Sequence, residues 1–492
     1  MTVPSSPAML VGDRRITSRE REPLIARNPA TGETIAEVPS ATAQDVDAAV
    51  AAASVAQPDW DRRDPGERAE LVRRLADRIE ERADELALLD TLDTGSPLPV
   101  MRRDAANAVS HMRYLAGLVL EARGETIPSV FDRLIYTIRR PFGVVGRITA
   151  FNHPLLFTAT RLAAPVLVGN TLVTKPSEHT SLSSLALADD IAEIFPSGVV
   201  NVITGSGSEA GDAIVRHPDV RRLAFIGSAD TGRRILERSA RSAVKSVTLE
   251  LGGKNPVIVF PDADLDDAVD GVVAGMNFTW QGQSCGSTSR LLVHSSIHAA
   301  FVERLGARLA ELRVGLPTDP RSDCGAIINE AQLAKVLHYI ELGRSDGARL
   351  VTGGARLLDG PLADGLFVSP ALFDGVDPGS RLAQEEIFGP VLAVIPFEDE
   401  QHALNIANGV RYGLTASVYT RDLGTAHRFA RELQAGYVWI NETSLHLPGT
   451  GFGGVKDSGL GREENLEELL SYTTSTNVSV RLPTAHGSDA GS

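Results

Sequence analysis

Apolar residues recur with helical spacing through the first part of the chain. Leu71, Leu75 and Ile79 lie four positions apart, which predicts a helix with one buried face. Asp64 precedes Pro65, a pair typical of a helix start because Asp accepts hydrogen bonds from free backbone N–H groups and Pro fits the first turn. The predicted helices cover residues 43–53, 64–94 and 104–121.

From residue 143 the pattern changes to short apolar runs that alternate with helical segments. Such alternation predicts an α/β fold with a parallel sheet and ligand binding at the carboxyl ends of its strands. The strands of the first sheet are predicted at 143–151, 172–176, 199–203, 223–226 and 246–251. A second α/β domain is predicted from strands at 290–293, 392–397 and 416–419 and helices at 262–276, 298–312 and 335–345.

The remaining segments lack this alternation. Residues 1–22 are polar and charged without a period, so we expect a mobile arm there. The segments 131–140 and 471–482 are rich in β-forming residues, and 131–140 is expected to be either an edge strand or an arm outside the main fold. The sequence from residue 483 is expected to be a disordered tail.

Composition and charge exclude several classes of partner. The net charge of −15 disfavours nucleic acid, because phosphate binding needs clustered Lys and Arg. No apolar run approaches the roughly 20 residues of a membrane span, and no secretory signal is visible, so we expect no membrane association and a cytoplasmic location. Two cysteines, Cys285 and Cys324, do not form a disulfide framework. No histidine or cysteine has metal-ligand spacing, so no metal is expected.

Cys285 lies in the stretch 280–287, among glycine and serine residues. These small residues would leave the sulfur accessible and would let a backbone N–H point at whatever the sulfur attacks. A single cysteine is more often structural than catalytic, so at this point both interpretations stay open.

Polar residues end several strands of the predicted first sheet. The amide of Asn152 could donate to a developing oxyanion. Lys175 and Glu178 could both reach ribose hydroxyls, and a carboxylate there favours NAD over NADP because it repels a 2′-phosphate. Glu250 lies between two leucines, where its pKa would be raised toward that of a general base. Each of these residues could instead be an exposed strand-end residue.

Glycine-rich turns follow two neighbouring strands, at 205–211 and 227–232. Free N–H groups at a helix start attract phosphate, so a nucleotide could bind there. Glu385 and Glu386 place two carboxylates beside Phe388, where they could hold ribose hydroxyls. A metal is disfavoured at these carboxylates because no histidine cluster accompanies them.

Taken in order, these stretches resemble the aldehyde dehydrogenase superfamily from residue 28 to residue 463. The motifs that carry the resemblance are Asn28-Pro29-Ala30-Thr31-Gly32, Phe151-Asn152-His153-Pro154, Lys175-Pro176-Ser177-Glu178, Phe225-Ile226-Gly227-Ser228, Leu249-Glu250-Leu251-Gly252-Gly253-Lys254, Gly282-Gln283-Ser284-Cys285, Glu385-Glu386-Ile387-Phe388-Gly389-Pro390 and Gly453-Gly454-Val455-Lys456-Asp457-Ser458-Gly459.

The resemblance implies a domain organisation. It consists of a Rossmann-like NAD-binding domain (1–125 and 142–252), an α/β catalytic domain (253–453), a segment returning to the first domain (454–469), a small β oligomerisation arm (126–141 and 470–483) and a disordered tail (484–492). The arm implies a homodimer or homotetramer.

The resemblance also implies a mechanism. Cys285 would attack a small-molecule aldehyde, Asn152 would hold the oxyanion, and Glu250 would activate the water that hydrolyses the resulting thioester. The cofactor would be NAD, with NADP possible. The residues implied to contact it are Lys175, Glu178, Gly207, Phe225, Gly227, Ser228, Gly232, Leu251, Glu386 and Phe388.

The substrate is less defined than the chemistry. The expected pocket residues are His153, Phe157, Leu445 and His446, and His153 stands where many members of the family have an aromatic ring. No basic cluster is visible among them, which favours an uncharged or apolar aldehyde over a dicarboxylic semialdehyde.

Three other functions stay open. A CoA-acylating relative would lack a carboxylate at the position of Glu250. A non-catalytic protein on the same fold would not need Cys285, Glu250 and Asn152 together. A cysteine hydrolase that binds NAD would need a histidine base near Cys285.

Overall fold

Two large sheets, each built mainly of parallel strands, form the body of the molecule in the computed structural model, which describes residues 7–18 and 22–482. In chain order the strands are β1 (Ala8–Val11), β2 (Arg14–Thr17), β3 (Leu24–Arg27), β4 (Thr34–Val38), β5 (Thr126–Ile127), β6 (Arg133–Pro141), β7 (Val144–Ile148), β8 (Thr171–Lys175), β9 (Val200–Val202), β10 (Val220–Ile226), β11 (Ser246–Glu250), β12 (Pro256–Val259), β13 (Arg290–His294), β14 (Arg349–Thr352), β15 (Ala371–Asp374), β16 (Val391–Phe397), β17 (Tyr412–Gly413), β18 (Thr415–Tyr419), β19 (Tyr437–Ile440), β20 (Val455–Lys456), β21 (Gly459–Leu460) and β22 (Thr473–Arg481). The helices are α1 (Ala43–Arg62), α2 (Pro65–Glu81), α3 (Ala83–Thr94), α4 (Leu98–Gly117), α5 (Pro154–Leu167), α6 (Leu182–Ile194), α7 (Asp212–Arg216), α8 (Ala229–Ala240), α9 (Leu265–Gly275), α10 (His298–Ala310), α11 (Glu330–Ser345), α12 (Arg381–Gln384), α13 (Glu400–Asn408), α14 (Leu423–Glu432) and α15 (Leu466–Ser471).

The first sheet contains a parallel block in the order β9–β8–β7–β10–β11. The strand order reverses between β7 and β10, because the chain moves outward through β8 and β9 and then returns to the other side of β7. Open α/β sheets bind ligands outside the carboxyl ends of their strands at such a reversal. The strand β21 closes the far edge, where it pairs antiparallel with β11.

The second sheet has the order β14–β15–β16–β13–β12–β18–β19 and is parallel apart from β14. Apolar clusters cover both of its faces, with Phe373 on one and Phe301 on the other. Strands β12, β15 and β19 were not predicted from the sequence. The loop that carries Cys285 runs from a short 3-10 turn, Phe278–Trp280, to the start of β13.

The second helix begins as predicted and ends earlier. Asp64 accepts hydrogen bonds from the N–H groups of Gly66 at 2.8 Å and Glu67 at 3.3 Å. The single helix predicted over 64–94 is wrong, because α2 ends at Glu81 and α3 begins at Ala83. Arg82 leaves helical angles at this break, and its guanidinium pairs with two carboxylates. Apolar spacing continues across the break and therefore does not reveal it.

The predicted mobile arm over 1–22 is wrong for residues 8–17, which form a β-hairpin. Strand β1 pairs with β2 along its whole length, and Leu10 lies opposite Val202 of β9. Met9, Leu10 and Val11 are buried, so a short apolar run anchors a segment whose composition is mostly polar. Residues 1–6 and 19–21 of the predicted arm lie outside the described residues.

A separate three-stranded sheet matches the two β-rich segments. Strand β22 pairs antiparallel with β6 over nine residues, and β5 pairs with the other edge of β6. The sheet exposes the apolar side chains of Ile127, Val130, Phe131, Leu134 and Val480. The predicted tail, 484–492, lies outside the described residues.

Within 7–18 and 22–482, no helix has both the length and the apolar character needed to cross a membrane.

Candidate active site

A cavity of about 420 Å³ opens where the strand order of the first sheet reverses. Its walls come from the carboxyl ends of β7, β8 and β10 and from helices α7 and α8. Four of the predicted cofactor residues line it: Lys175, Glu178, Gly207 and Phe225. Its volume lies within the range of small-molecule sites, about 300–1,000 Å³.

Lys175 and Glu178 form an ordered ion pair at this cavity. The ammonium of Lys175, only 1 % exposed, donates to the carbonyl of Gly205 at 2.8 Å and lies 3.4 Å from Glu178 Oε2. Glu178 Oε1 accepts the N–H of Gly207 at 3.2 Å. Burial would raise the pKa of Glu178, but the Lys175 ammonium and the backbone N–H groups outweigh it and lower that pKa. An ionised carboxylate therefore stands at the rim.

Two glycines allow close packing next to the cavity. A Cβ on Gly227 would overlap the ring of Phe225, and a Cβ on Gly232 would lie 2.8 Å from Leu251 Cδ2. Ser228 caps α8, because its Oγ accepts an N–H from the first turn of that helix. The side chain of Ser228 thus serves the helix, which leaves the backbone at the start of α8 as the donor for a phosphate.

Glu386 and Phe388 precede β16 of the second sheet and contact turns at the edge of the first sheet. Glu386 Oε1 accepts the N–H of Gly253 at 3.0 Å, and a Cβ on Gly252 would overlap its carboxylate, so only glycine fits there. Phe388 has a φ of +59°, and its ring packs edge-on against Phe151 at 5.6 Å between centroids. Glu386 therefore contacts the turn that follows β11, and Phe388 contacts the turn that follows β7.

Cys285 is partly exposed in the loop before β13. Its carbonyl accepts a hydrogen bond from Asn255 Nδ2 at 2.7 Å, which fixes the loop. Burial first, and then the carboxylates of Glu386, Glu250 and Glu464, raise the pKa of the thiol to about 12. The described residues around the sulfur therefore bring three carboxylates toward it and oppose its ionisation.

Asn152 follows β7 and is buried. Within the described part of the chain its side-chain amide makes no hydrogen bond, so the amide is free to donate to a ligand. The ring of its neighbour His153 lies 5.1 Å from the ring of Trp280, in the segment that leads to Cys285. This contact places the turn of Asn152 beside the cysteine loop.

Glu250 ends β11 and is 5 % exposed, so the alternative of a solvent-facing residue is wrong. Neither carboxylate oxygen has a hydrogen-bond partner among residues 7–18 and 22–482. Burial raises the pKa of Glu250 well above its usual value, and the negative charge of Glu463 adds to this, against the attraction of Arg161 and Arg147. A carboxyl group with a raised pKa and free oxygens suits a general base.

A buried cluster of charges lies beside Glu250. Glu463 pairs with Arg147 at 2.6 Å and with Arg161 at 3.0 Å, while Arg161 also contacts Glu464 at 2.8 Å and Glu468 at 3.5 Å. Sequence reasoning missed all five residues, because charged side chains are usually exposed. Only Arg161 could have been noticed from the sequence, because it is the one charged residue of the otherwise apolar helix α5.

The four predicted substrate residues fall on two segments. His153 and Phe157 lie one helical turn apart at the start of α5, and His153 Nδ1 lies 2.7 Å from Asp104 Oδ2. Leu445 and His446 lie in the loop after β19, where Leu445 is 42 % exposed and His446 Nδ1 lies 3.6 Å from Glu464 Oε2. The ion pair of Arg161 with Glu464 connects the two segments.

No group of three or more histidine, cysteine or acidic side chains in the described ranges could hold a metal ion.

Comparison with known proteins identifies the family. The sequence profile of the Aldehyde dehydrogenase family matches residues 16–478. The chain is 45 % identical over 474 residues to aldehyde dehydrogenase tropH of Talaromyces stipitatus, which covers 95 % of this chain and 91 % of that protein. It resembles an aldehyde dehydrogenase of Bacillus cereus solved as an NAD⁺ complex, with a TM-score of 0.94, 39 % identity and 98 % of both chains covered. It also resembles betaine aldehyde dehydrogenase of Staphylococcus aureus in complex with NAD⁺, with a TM-score of 0.95, 35 % identity and 98 % and 96 % of the two chains covered. The chain therefore belongs to the aldehyde dehydrogenase family and is an NAD(P)-dependent aldehyde dehydrogenase.

Proposed function

We propose that this enzyme converts an aldehyde to its carboxylic acid through a thioester on Cys285, which a water activated by Glu250 hydrolyses. The observation that carries the proposal is the environment of Glu250. Its carboxylate is buried, has a raised pKa and lacks hydrogen-bond partners among the described residues, and its charge acts on the Cys285 thiol. A base in that position is what hydrolysis of a cysteine thioester requires.

The residues around the cavity fit NAD. The ion pair of Lys175 with Glu178 would bind the hydroxyls of the adenosine ribose, and the free N–H groups at the start of α8 would bind the pyrophosphate. Glu386, held by the N–H of Gly253, would bind the second ribose near Cys285. Bound NAD would supply the acceptor for the hydride and a positive charge that offsets the carboxylates around the thiol. The ionised Glu178 disfavours the 2′-phosphate of NADP.

The chain's own residues carry the covalent steps. The Cys285 thiol releases its proton to solvent, the sulfur adds to the carbonyl carbon, and the carbonyl oxygen becomes an alkoxide that accepts a hydrogen bond from the Asn152 amide. Loss of hydride from the former aldehyde carbon restores its carbonyl and leaves a thioester. Glu250 then takes a proton from water as the water oxygen attacks that carbon. The acid leaves, and the sulfur returns as the free thiol.

Acid release in the absence of CoA tests the hydrolytic reaction. We expect one carboxylic acid for each NADH over many turnovers, because Glu250 supplies the base for water. Acid measured by liquid chromatography and NADH measured by absorbance give this ratio. A reaction that stops after one NADH per site and resumes when CoA is added would instead mean that the enzyme is CoA-acylating.

We also propose that the three-stranded sheet is a homo-oligomer contact. Phe131 is fully exposed and Val130 is largely exposed in the turn between β5 and β6, at one end of this sheet, and apolar groups gathered on an exposed surface mark an interaction site. The partner would be a second copy of this chain, and the assembly a dimer or tetramer.

Phe131→Asp is expected to lower the molar mass in light scattering from that of the wild-type oligomer, because the new charge would be buried in the contact. Val244→Asp is the matched control, since Val244 is equally exposed but lies on the body of the first domain. A wild-type monomer, or an unchanged mass for Phe131→Asp, would contradict the proposed contact.

A further inference from the structure

His153 carries a hydrogen-bond acceptor that the chain does not use. Its Nδ1 lies 2.7 Å from Oδ2 of Asp104, which is 2 % exposed. A carboxylate only accepts, so Nδ1 of the neutral ring holds the proton and Nε2 holds the lone pair. The Asp104 contact is the one hydrogen bond of this ring within 7–18 and 22–482, and the side chain is 13 % exposed, so Nε2 is open to a ligand. The buried Asp104 thus fixes a ring whose free nitrogen accepts.

This acceptor lies among aromatic rings next to the reacting groups. His153 directly follows Asn152, and its ring lies 5.1 Å from that of Trp280 and 5.2 Å from that of Phe157. Trp280 belongs to the same short loop as Cys285. A ligand with its carbonyl at Cys285 and Asn152 therefore has its remaining atoms beside these rings.

A second group of rings surrounds His446. Its ring lies 4.8 Å from that of Phe452, 5.6 Å from that of Trp439 and 5.8 Å from that of Tyr437. Only 5 % of the chain is aromatic and it has three tryptophans, yet two of them belong to these two groups. Aromatic side chains concentrated around a catalytic centre favour a flat, apolar ligand.

Two other ligand classes fit less well at Arg161 and His153. Arg161 is engaged by Glu463, Glu464 and Glu468, so this buried cation is not free to bind a substrate carboxylate. A quaternary ammonium could pack against the rings, but it has no hydrogen to donate and would leave Nε2 of His153 without a partner. A hydroxyl group on an aromatic ring fits both features: the ring packs against the aromatic side chains, and the hydroxyl donates a hydrogen bond to Nε2 of His153.

We propose that the substrate is an aromatic aldehyde that carries a hydroxyl group on its ring, and that Nε2 of His153 accepts the hydrogen bond of that hydroxyl. This inference rests on the proposed oxidation at Cys285 and deepens it, since it names the substrate class of the same site.

A series of wild-type measurements tests the substrate class without any variant. We expect kcat/KM for 3- or 4-hydroxybenzaldehyde to exceed that for benzaldehyde by about tenfold or more, because a site built around a hydroxyl penalises an analogue that lacks it. The matching methoxybenzaldehyde, which has no O–H to donate, should lose this gain. The gain should appear mainly in KM, since the hydroxyl is remote from the reacting carbon. Acid product is measured by chromatography, because phenolates absorb near the NADH band.

The variant His153→Phe tests the residue. It keeps a ring in place and removes the acceptor, so the ratio of kcat/KM for hydroxybenzaldehyde to that for benzaldehyde should fall to near one. His338→Phe is the control, since His338 is exposed on α11, and it should keep the wild-type ratio.

Three results would overturn the proposal: equal kcat/KM for hydroxy- and methoxybenzaldehyde, a preference for betaine aldehyde, or a preference for carboxybenzaldehyde. A failure of the proposed function would look different, because then no aldehyde of the series, benzaldehyde included, would give acid.

Discussion

Replacing Cys285 with serine is expected to lower kcat for NADH formation by about 10⁴-fold or more, because removal of a covalent nucleophile abolishes the path that depends on it. NAD affinity should stay within about threefold of wild type, since Lys175 and Glu178, the proposed NAD residues, line a separate cavity that Cys285 does not line. Steady-state absorbance gives kcat, and a fluorescence titration with NAD gives the affinity.

Cys324→Ser is the matched control for that result. Cys324 is the other cysteine of the chain and is fully buried, and its backbone forms a β-bridge with Val314. The charges that act on Cys285 do not act on Cys324. This variant should keep most of its activity. If Cys285→Ser turned over aldehyde at more than about one hundredth of the wild-type rate, the assignment of the nucleophile would be wrong.

Glu250→Gln is expected to separate the two halves of the reaction. The thioester still forms, so one NADH per site should appear in a burst, and the following steady rate should fall by about 10²–10⁴-fold because the amide cannot take a proton from water. In the wild type the steady rate should rise with pH through the raised pKa of Glu250, because only the ionised carboxylate acts as a base. The variant should lose this rise. Rapid-mixing absorbance measures the burst.

Two further measurements make the Glu250 result specific. Hydroxylamine should restore turnover of Glu250→Gln, since it attacks a thioester without a general base. Glu385→Gln is the control, because Glu385 is a half-exposed carboxylate paired with Arg381, and it should show no burst. A Glu250→Gln enzyme with a normal steady rate would assign the base to another residue.

The architecture of the two sheets follows from local pattern, and the errors have local causes too. Each strand of the first parallel block lies within two or three residues of its predicted position, because buried parallel strands are continuous apolar runs. The hairpin at 8–17 was missed because only three of its residues, Met9 to Val11, form an apolar run. The break at Arg82 depends on Asp190, which lies on another helix, so no local pattern predicts it.

The candidate site likewise has residues that the sequence predicts and residues that it does not. Cys285, Glu250 and Asn152 lie in motifs whose resemblance to a family suggested their roles, and those roles stay predictions. The buried charges around Arg161 could not be predicted, because the segment after β21 is far along the chain from β7 and α5 and meets them only in the folded protein. Asp104 was missed for a related reason, since its partner His153 belongs to a different helix.

The pairing of β21 with β11 has a consequence for biosynthesis. Ser458 donates to the carbonyl of Gly252 across 206 positions, and Glu463 acts on Glu250 from the same returning segment. Closing so long a loop is slow compared with local folding. A ribosome that has synthesised the chain only as far as residue 450 has already produced the thiol, the cofactor cavity and the base, but neither β21 nor Glu463, whose charge acts on the base. The nascent protein therefore acquires its complete catalytic environment late, after both sheets have been synthesised.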